Sequence, residues 1–262
     1  MKKKRRKLKK SVVKGLFFIF FSLFLIAGGI YTLNWLFTSK QEPELVSDEP
    51  EEMTTEQFIG MIGEDARKLA HKHDLYASVM IAQAVLESND GNSELASDPN
   101  YNLFGVKGHY KNESVAFETL EDDGKGNLET IVAEFRKYPS YKESLEDYAK
   151  LLKSGVSWDK QFYAPAYKSN TKSHKEATAY LTGTYATDSQ YDEKLNALIK
   201  QYDLEIYDEP KPSQREVVVK RKDTLDEIAK SYNVSETLIR QWNQLNTNTL
   251  TKGQTLIIYE KK

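Results

Sequence analysis

The sequence predicts an α+β protein. It reads as a mostly helical main domain with a small β hairpin, a separate β-α-α-β unit at the C-terminal end and one N-terminal transmembrane helix. Three observations carry this reading. An uncharged apolar run stands near the N-terminus. Apolar residues then recur at helical spacing, interrupted by one short stretch of glycines and β-prone pieces. A proline-containing connection, Glu209-Pro-Lys-Pro-Ser213, sets off the remainder of the chain.

Residues 1–15 form a basic tip, with nine Lys/Arg and no acid in the first 14 positions. The remaining chain carries 28 basic and 39 acidic residues. A basic tip on an acidic body points to membrane orientation and not to nucleic acid. Residues 16–38 are expected to cross a membrane. The uncharged run 16–37 has 22 residues, against the roughly 20 that a helix needs to span the hydrocarbon core. The positive cluster Lys2 to Lys14 is expected to stay cytoplasmic, and Tyr31 and Trp35 to lie at the outer interface. A cleaved signal peptide fits less well, because the apolar run is long and no Ala-x-Ala pattern follows it. The expected location is therefore the cell membrane, single-pass, with everything after residue 38 outside. Gly28-Gly29 permits the close helix approach that contact with a polytopic membrane partner would use.

Residues 39–53 contain six carboxylates and two prolines and read as a solvated linker. Residues 54–208 form the main domain. Thr54 or Thr55 caps a helix carrying Phe58, Ile62, Ala66 and Leu69 on one face. The next helix, through Val79–Glu87, is apolar around most of its circumference and is expected to be central. A hairpin follows around Ser114-Val-Ala-Phe-Glu-Thr119, with Asp122-Asp-Gly-Lys-Gly126 as its turn and a strand through Ile131–Tyr138. Ser140-x-x-Glu143 reads as a capping box opening a helix with Leu145, Tyr148 and Leu152 on its buried side. Helices at about 174–183 and 189–202 close the domain, with Asp188 as an N-cap. Residues 209–213 are a linker. In residues 214–262, a strand at Glu216–Lys220, helices opened by Thr224-x-x-Glu227 and by Ser235, and a strand Thr255–Tyr259 follow in order.

The chain has no cysteine, so neither a disulfide nor a thiolate metal site is available. His71 and His73 stand two apart, on different helix faces, with no third ligand. No metal site and no cofactor are expected.

Glu87 carries the strongest chemical signal. It ends the run Ala77-Ser-Val-Met-Ile-Ala-Gln-Ala-Val-Leu-Glu87, after which the chain turns polar and reaches Gly91. A carboxyl that loses hydration has a raised pKa and keeps its proton near neutral pH, as cleavage of a glycosidic bond requires. A solvated glutamate at a helix end reads equally well from the pattern alone.

Four runs then carry a resemblance: Ser78-Val-Met-Ile-Ala-Gln-Ala-Val-Leu-Glu-Ser88, Tyr101-Asn-Leu-Phe-Gly-Val-Lys-Gly108, Phe135-Arg-Lys-Tyr138 and Tyr185-Ala-Thr-Asp-Ser-Gln-Tyr191. In this order, residues 54–208 resemble the bacterial glucosaminidase family of flagellar and autolysin peptidoglycan hydrolases. Residues 214–262 resemble a LysM module. The resemblance implies a lysozyme-like fold, cleavage of the β-1,4 bond after N-acetylglucosamine in peptidoglycan, and glycan strands as the partner. It implies Glu87 as the general acid and, from the Thr119-x-Glu121 pattern, Glu121 as the base or stabiliser, with Glu118 on the opposite hairpin face. Gln83, one turn before Glu87, either hydrogen-bonds in the cleft or is a satisfied core amide. Asn102, Phe104 and Gly105 are expected on the cleft floor, with Phe104 equally able to serve the core. Tyr185 and Tyr191 are expected to stack on sugar. In the LysM part, glycan is expected at Asp223, Thr224 and Leu225, opposite the loop containing Asn246. The usual glycine before Asp223 is Lys222 here, which predicts a remodelled loop. A muramidase or lytic transglycosylase on the same fold, and a non-catalytic wall scaffold, are the alternatives.

Overall fold

The computed structural model describes residues 52–122 and 128–260. The basic tip, the apolar run and nearly all of the acidic linker lie outside the described residues, as does most of the expected hairpin turn. Among the described residues no helix is long and apolar enough to cross a membrane.

Helix α1, Thr55–Lys72, opens with a complete capping box. The Thr54 hydroxyl accepts from the Gln57 amide, and the Gln57 side chain accepts from the Thr54 amide, which satisfies two amides that the first turn leaves without helical partners. Phe58, Ile59, Ile62, Ala66 and Ala70 bury one face. Helix α2, Ala77–Ser88, is buried along nearly its whole length. Its N-cap residue, Tyr76, makes no side-chain cap bond. Asp208, 130 residues along the chain, substitutes: its carboxylate accepts from the Ser78 amide at 2.9 Å and from the Ser78 hydroxyl at 2.6 Å.

Strands β1, Ser114–Asp122, and β2, Leu128–Arg136, pair antiparallel, with Thr119 opposite Ile131 and Glu121 opposite Glu129. β2 thus begins and ends earlier than the expected Ile131–Tyr138. Helix α3, Tyr141–Ser154, starts where the capping box is expected, but the box does not form. The Ser140 hydroxyl donates to the Glu143 carboxylate and caps no backbone amide. Helices α4, His174–Leu181, and α5, Tyr191–Gln201, and a 3₁₀ segment, Leu204–Asp208, complete the main domain. Asp188 is not the N-cap of α5, which is Gln190. Its carboxylate accepts from the Gln190 amide at 2.9 Å and pairs with Lys194 at 2.6 Å.

The C-terminal unit runs β3 (Ser213–Val218), α6 (Leu225–Tyr232), α7 (Glu236–Asn243), β4 (Thr255–Glu260), with β3 and β4 antiparallel. The strand expected at Glu216–Lys220 therefore begins three residues earlier. Both expected caps form: Thr224 accepts from the Glu227 amide within a full capping box, and Ser235 from the Leu238 amide. Val219, Leu225, Ile228, Ala229, Ile239, Leu256 and Ile258 make a small core of their own. Lys222 adopts φ +80°. The loop keeps the backbone conformation suited to glycine, so the expected remodelling does not occur.

Candidate active site

Glu87 lies in the last turn of α2. A helix sunk in the core on most sides carries its final carboxylate only partly into water. Desolvation pushes the Glu87 carboxyl up to about 7, and a hydrogen bond from Tyr191 limits the rise. The helix stops at once: Asn89 takes φ +52° and Gly91 φ +78°. A Cβ on Gly91 would fall 2.8 Å from the Phe58 ring, so a side chain there would press into α1. The Ser88 hydroxyl accepts from the Gly91 amide at 2.8 Å and locks the turn.

Three further side chains form a line with the carboxylate. The Tyr191 hydroxyl donates to Glu87 Oε1 at 2.8 Å. Gln83 Nε2 donates to the Tyr191 oxygen at 3.0 Å. The Tyr148 hydroxyl donates to Gln83 Oε1. Gln83 is fully buried, and Tyr148 and Tyr191 nearly so. Burial holds both tyrosine hydroxyls far above the ordinary phenol range, so they stay protonated and act as donors. Donation to Oε1 leaves Oε2 as the oxygen free to carry the acid proton. A carboxyl fixed on one oxygen and protonated on the other can deliver a proton in one direction.

The sequence-predicted residues divide accordingly. Glu87, Gln83, Tyr185 and Tyr191 are brought together, the last two with rings stacked 5.9 Å apart. Gln83 is a core amide under the carboxyl and does not line a cleft. Tyr185 and Tyr191 are buried too, so neither offers its ring broadly to solvent. Phe104 is core: it stacks on Tyr148 with centroids 4.1 Å apart. Asn102 is also buried, and ties its loop to β2 through bonds from its amide to Val106 O and Arg136 O and from the Val106 amide to its Oδ1. Gly105, at φ +60°, is half-buried in that loop. Glu121 occupies the penultimate position of β1, opposite Glu129; its side chain lies outside the described residues. Glu118, opposite Val132, is exposed.

In the C-terminal unit, Asp223 accepts from the Lys220 amide at 2.8 Å and Thr224 caps α6. The Leu225 side chain is buried in the small core, leaving its backbone alone for a ligand, while Asn246 is exposed.

Tyr148 was not among the site residues expected from sequence. Sequence spacing puts it only on the buried face of its helix. The signal lies in that placement: a buried tyrosine needs a partner for its hydroxyl, and Gln83 is that partner.

Comparison with known proteins follows the same division. Residues 63–204 match the family model described as mannosyl-glycoprotein endo-beta-N-acetylglucosaminidase, and residues 217–258 match that of the LysM domain. An N-acetylmuramoyl-L-alanine amidase domain-containing protein of Staphylococcus aureus is 52% identical over 155 residues, covering 59% of this chain and 25% of that protein. An exo-glucosaminidase of Bacillus subtilis, LytG, is 43% identical over 215 residues, covering 81% of this chain and 73% of that one. Thus the chain spans a quarter of the first relative and nearly three quarters of the second. The crystal structure of the catalytic domain of the autolysin Auto from Listeria monocytogenes superposes with a TM-score of 0.57 at 53% identity, covering 61% of this chain and 90% of that domain. With a matching model over more than half its length and a relative covered through most of its own, the chain belongs to the glucosaminidase family and carries a LysM domain behind its family domain.

Proposed function

We propose that the chain is a peptidoglycan hydrolase that cleaves the β-1,4 bond between N-acetylglucosamine and N-acetylmuramic acid, with Glu87 as general acid. The observation that supports this most is the half-buried Glu87 carboxyl, raised to about 7 and held on one oxygen by Tyr191. The Glu87 proton passes to the glycosidic oxygen as the bond from that oxygen to the anomeric carbon breaks. Water then adds to the anomeric carbon and returns a proton to the carboxylate. Glu121, on the hairpin, is the proposed base or stabiliser of the developing positive charge. Family membership and the named relatives support a glycan substrate, and the LysM domain supports a wall polymer containing N-acetylglucosamine.

The uncharged run 16–37 and the basic residues before it support a membrane tether with the N-terminus inside. On this reading the enzyme trims glycan strands close to the outer membrane face, and the paired glycines Gly28 and Gly29 suit contact with a polytopic partner.

The test is mass spectrometry of digested peptidoglycan. Reducing-end N-acetylglucosamine is expected. Reducing-end N-acetylmuramic acid, or its anhydro form, would replace this reading with a muramidase or a transglycosylase. Absence of any new reducing end would favour a scaffold.

A further inference from the structure

The LysM domain is packed on the same helix that clasps the turn after Glu87. Helix α7 lies against α1 so closely that a Cβ on Gly60 would fall 2.2 Å from the Gln241 carbonyl oxygen. Gln241 is fully buried and satisfied across the boundary: its Nε2 donates to Tyr202 O at 2.7 Å, and its Oε1 accepts from the Tyr207 hydroxyl at 3.4 Å. The Ser235 hydroxyl donates to Asp203 at 2.5 Å. Arg240 pairs with Glu56 at 3.1 Å, each side chain only 19% exposed. The connection is pinned as well. Lys211 reaches Glu64 at 3.4 Å and lies 4.9 Å from the Tyr259 ring centroid, and Arg67 donates to the carbonyls of Ile206 and Glu209. A buried amide satisfied across a boundary and a backbone approach that only glycine permits do not survive independent motion of two tethered parts.

The position of this interface has a consequence for the site. From Glu87 the chain turns through Asn89–Asn92. The Asn92 side chain brackets the Met53 backbone with two bonds of 2.9 Å, and Asp90 lies against Thr55. The next residue, Glu56, holds Arg240, and Arg240 also donates to Asn248 at 2.8 Å. Asn248 belongs to the exposed loop after α7 that holds Asn246. A short series of contacts therefore joins the end of the acid-bearing helix to one wall of the expected glycan site.

We infer that the LysM domain is a fixed extension of the catalytic cleft, clamped through Gly60, Gln241 and the Glu56–Arg240 pair, so that one glycan strand engages both at once. This rests on the peptidoglycan-hydrolase reading. It replaces a module that raises local concentration from a loose tether with one that adds subsites in register.

The absence of native cysteine makes the test direct. Spin labels at Lys200→Cys and Lys252→Cys, both exposed positions, report the distance between the two domains in the full chain in nanodiscs. A single narrow distance distribution is expected. Gly60→Leu should broaden it. Turnover of long glycan strands should then fall about fivefold or more, while turnover of short oligosaccharides stays within about twofold. Glu56→Arg and Arg240→Glu should each do the same, and the double exchange should restore both readouts, which separates undocking from misfolding. A broad distribution in the parent chain overturns the inference, as does unchanged long-strand turnover in a variant whose distribution has broadened. Failure of the parent chain to cleave either substrate removes the hydrolase reading itself, whatever the distances show.

Discussion

Tyr191, the first residue of α5, donates its hydroxyl hydrogen to Glu87, near the last residue of α2, across 104 positions of sequence. Desolvation raises the carboxyl, and this bond opposes the rise while fixing which oxygen is engaged. The acid is thus a product of tertiary structure: α2 buries it, and α5 orients it.

Replacing Glu87 with glutamine should abolish lysis while stabilising the fold. General acids contribute about 10²–10⁴ in rate, so a zymogram should show no clearing. The stability sign follows from the raised value. The folded state holds the proton more tightly than the unfolded chain, so wild-type stability is lost as pH rises from 4.5 through about 7. Glutamine removes that loss. The variant should gain at most about 3 kcal/mol above neutral pH, and nothing below pH 4.5. Urea denaturation at pH 4 and pH 8 checks this; an equal gain at both would show that burial of the charge is not the cause.

Tyr191→Phe removes the donor that holds the Glu87 value down, so the alkaline limb of the kcat/KM profile should move to higher pH. Loss of orientation should lower the maximum roughly ten- to a hundredfold. The Gln83 amide, left without an acceptor in the core, should cost about 1–3 kcal/mol. Tyr148→Phe is the contrasting variant. It disturbs Gln83 but does not touch the carboxyl, so it should lower stability by about 1 kcal/mol and leave the profile where it is. Identical profile shifts in the two variants would contradict the order of the chain of hydrogen bonds.

Asp208→Ala should cost about 1–2 kcal/mol, the usual worth of an N-cap, although Asp208 is far from α2 in sequence. Ser78→Ala removes only the hydroxyl bond and leaves the amide bond to the carboxylate, so its effect should be smaller. A double-mutant cycle in urea should reveal coupling between the two. Since the cap and the acid stand at opposite ends of α2, kcat of the folded Asp208→Ala protein should hold.

Much of this fold was legible because it rests on local rules. The helix start at Thr54 or Thr55, the capping box at Thr224, the all-round apolar α2, the hairpin and the β-α-α-β order follow from spacing. Glu87 stood out because a carboxylate ends an apolar run. The misses have two causes. At Ser140 a cap pattern lost to a side-chain bond with Glu143. Asp208 as a cap in trans and Tyr148 as the end of the buried hydrogen-bond line depend on contacts that no local window contains. Gly60 reads as a mild weakness within a helix; only the approach of α7 explains it. Sequence leaves Gln83 open between two roles because burial, which decides between them, belongs to the tertiary fold.

Lys222 supplies a stability prediction in the opposite direction from most substitutions. It stands at φ +80°, a conformation that disfavours any side chain with a Cβ. The neighbouring bonds hold it there: the Lys220 amide donates to the Asp223 carboxylate at 2.8 Å, and the Asp223 amide to Lys220 O at 3.2 Å. These close the turn immediately before Thr224 caps α6, so the loop cannot relax the strain without losing the start of that helix. Lys222→Gly should relieve it. The unfolded chain gains freedom with glycine, which offsets part of the benefit, and the net stabilisation should be about 1 kcal/mol. Lys222→Ala retains a Cβ, so it should stay close to wild type. Thermal melts of the three full-length proteins distinguish the cases. A rise for alanine equal to that for glycine would assign the effect to the lysine chain and its charge, and not to the backbone angle.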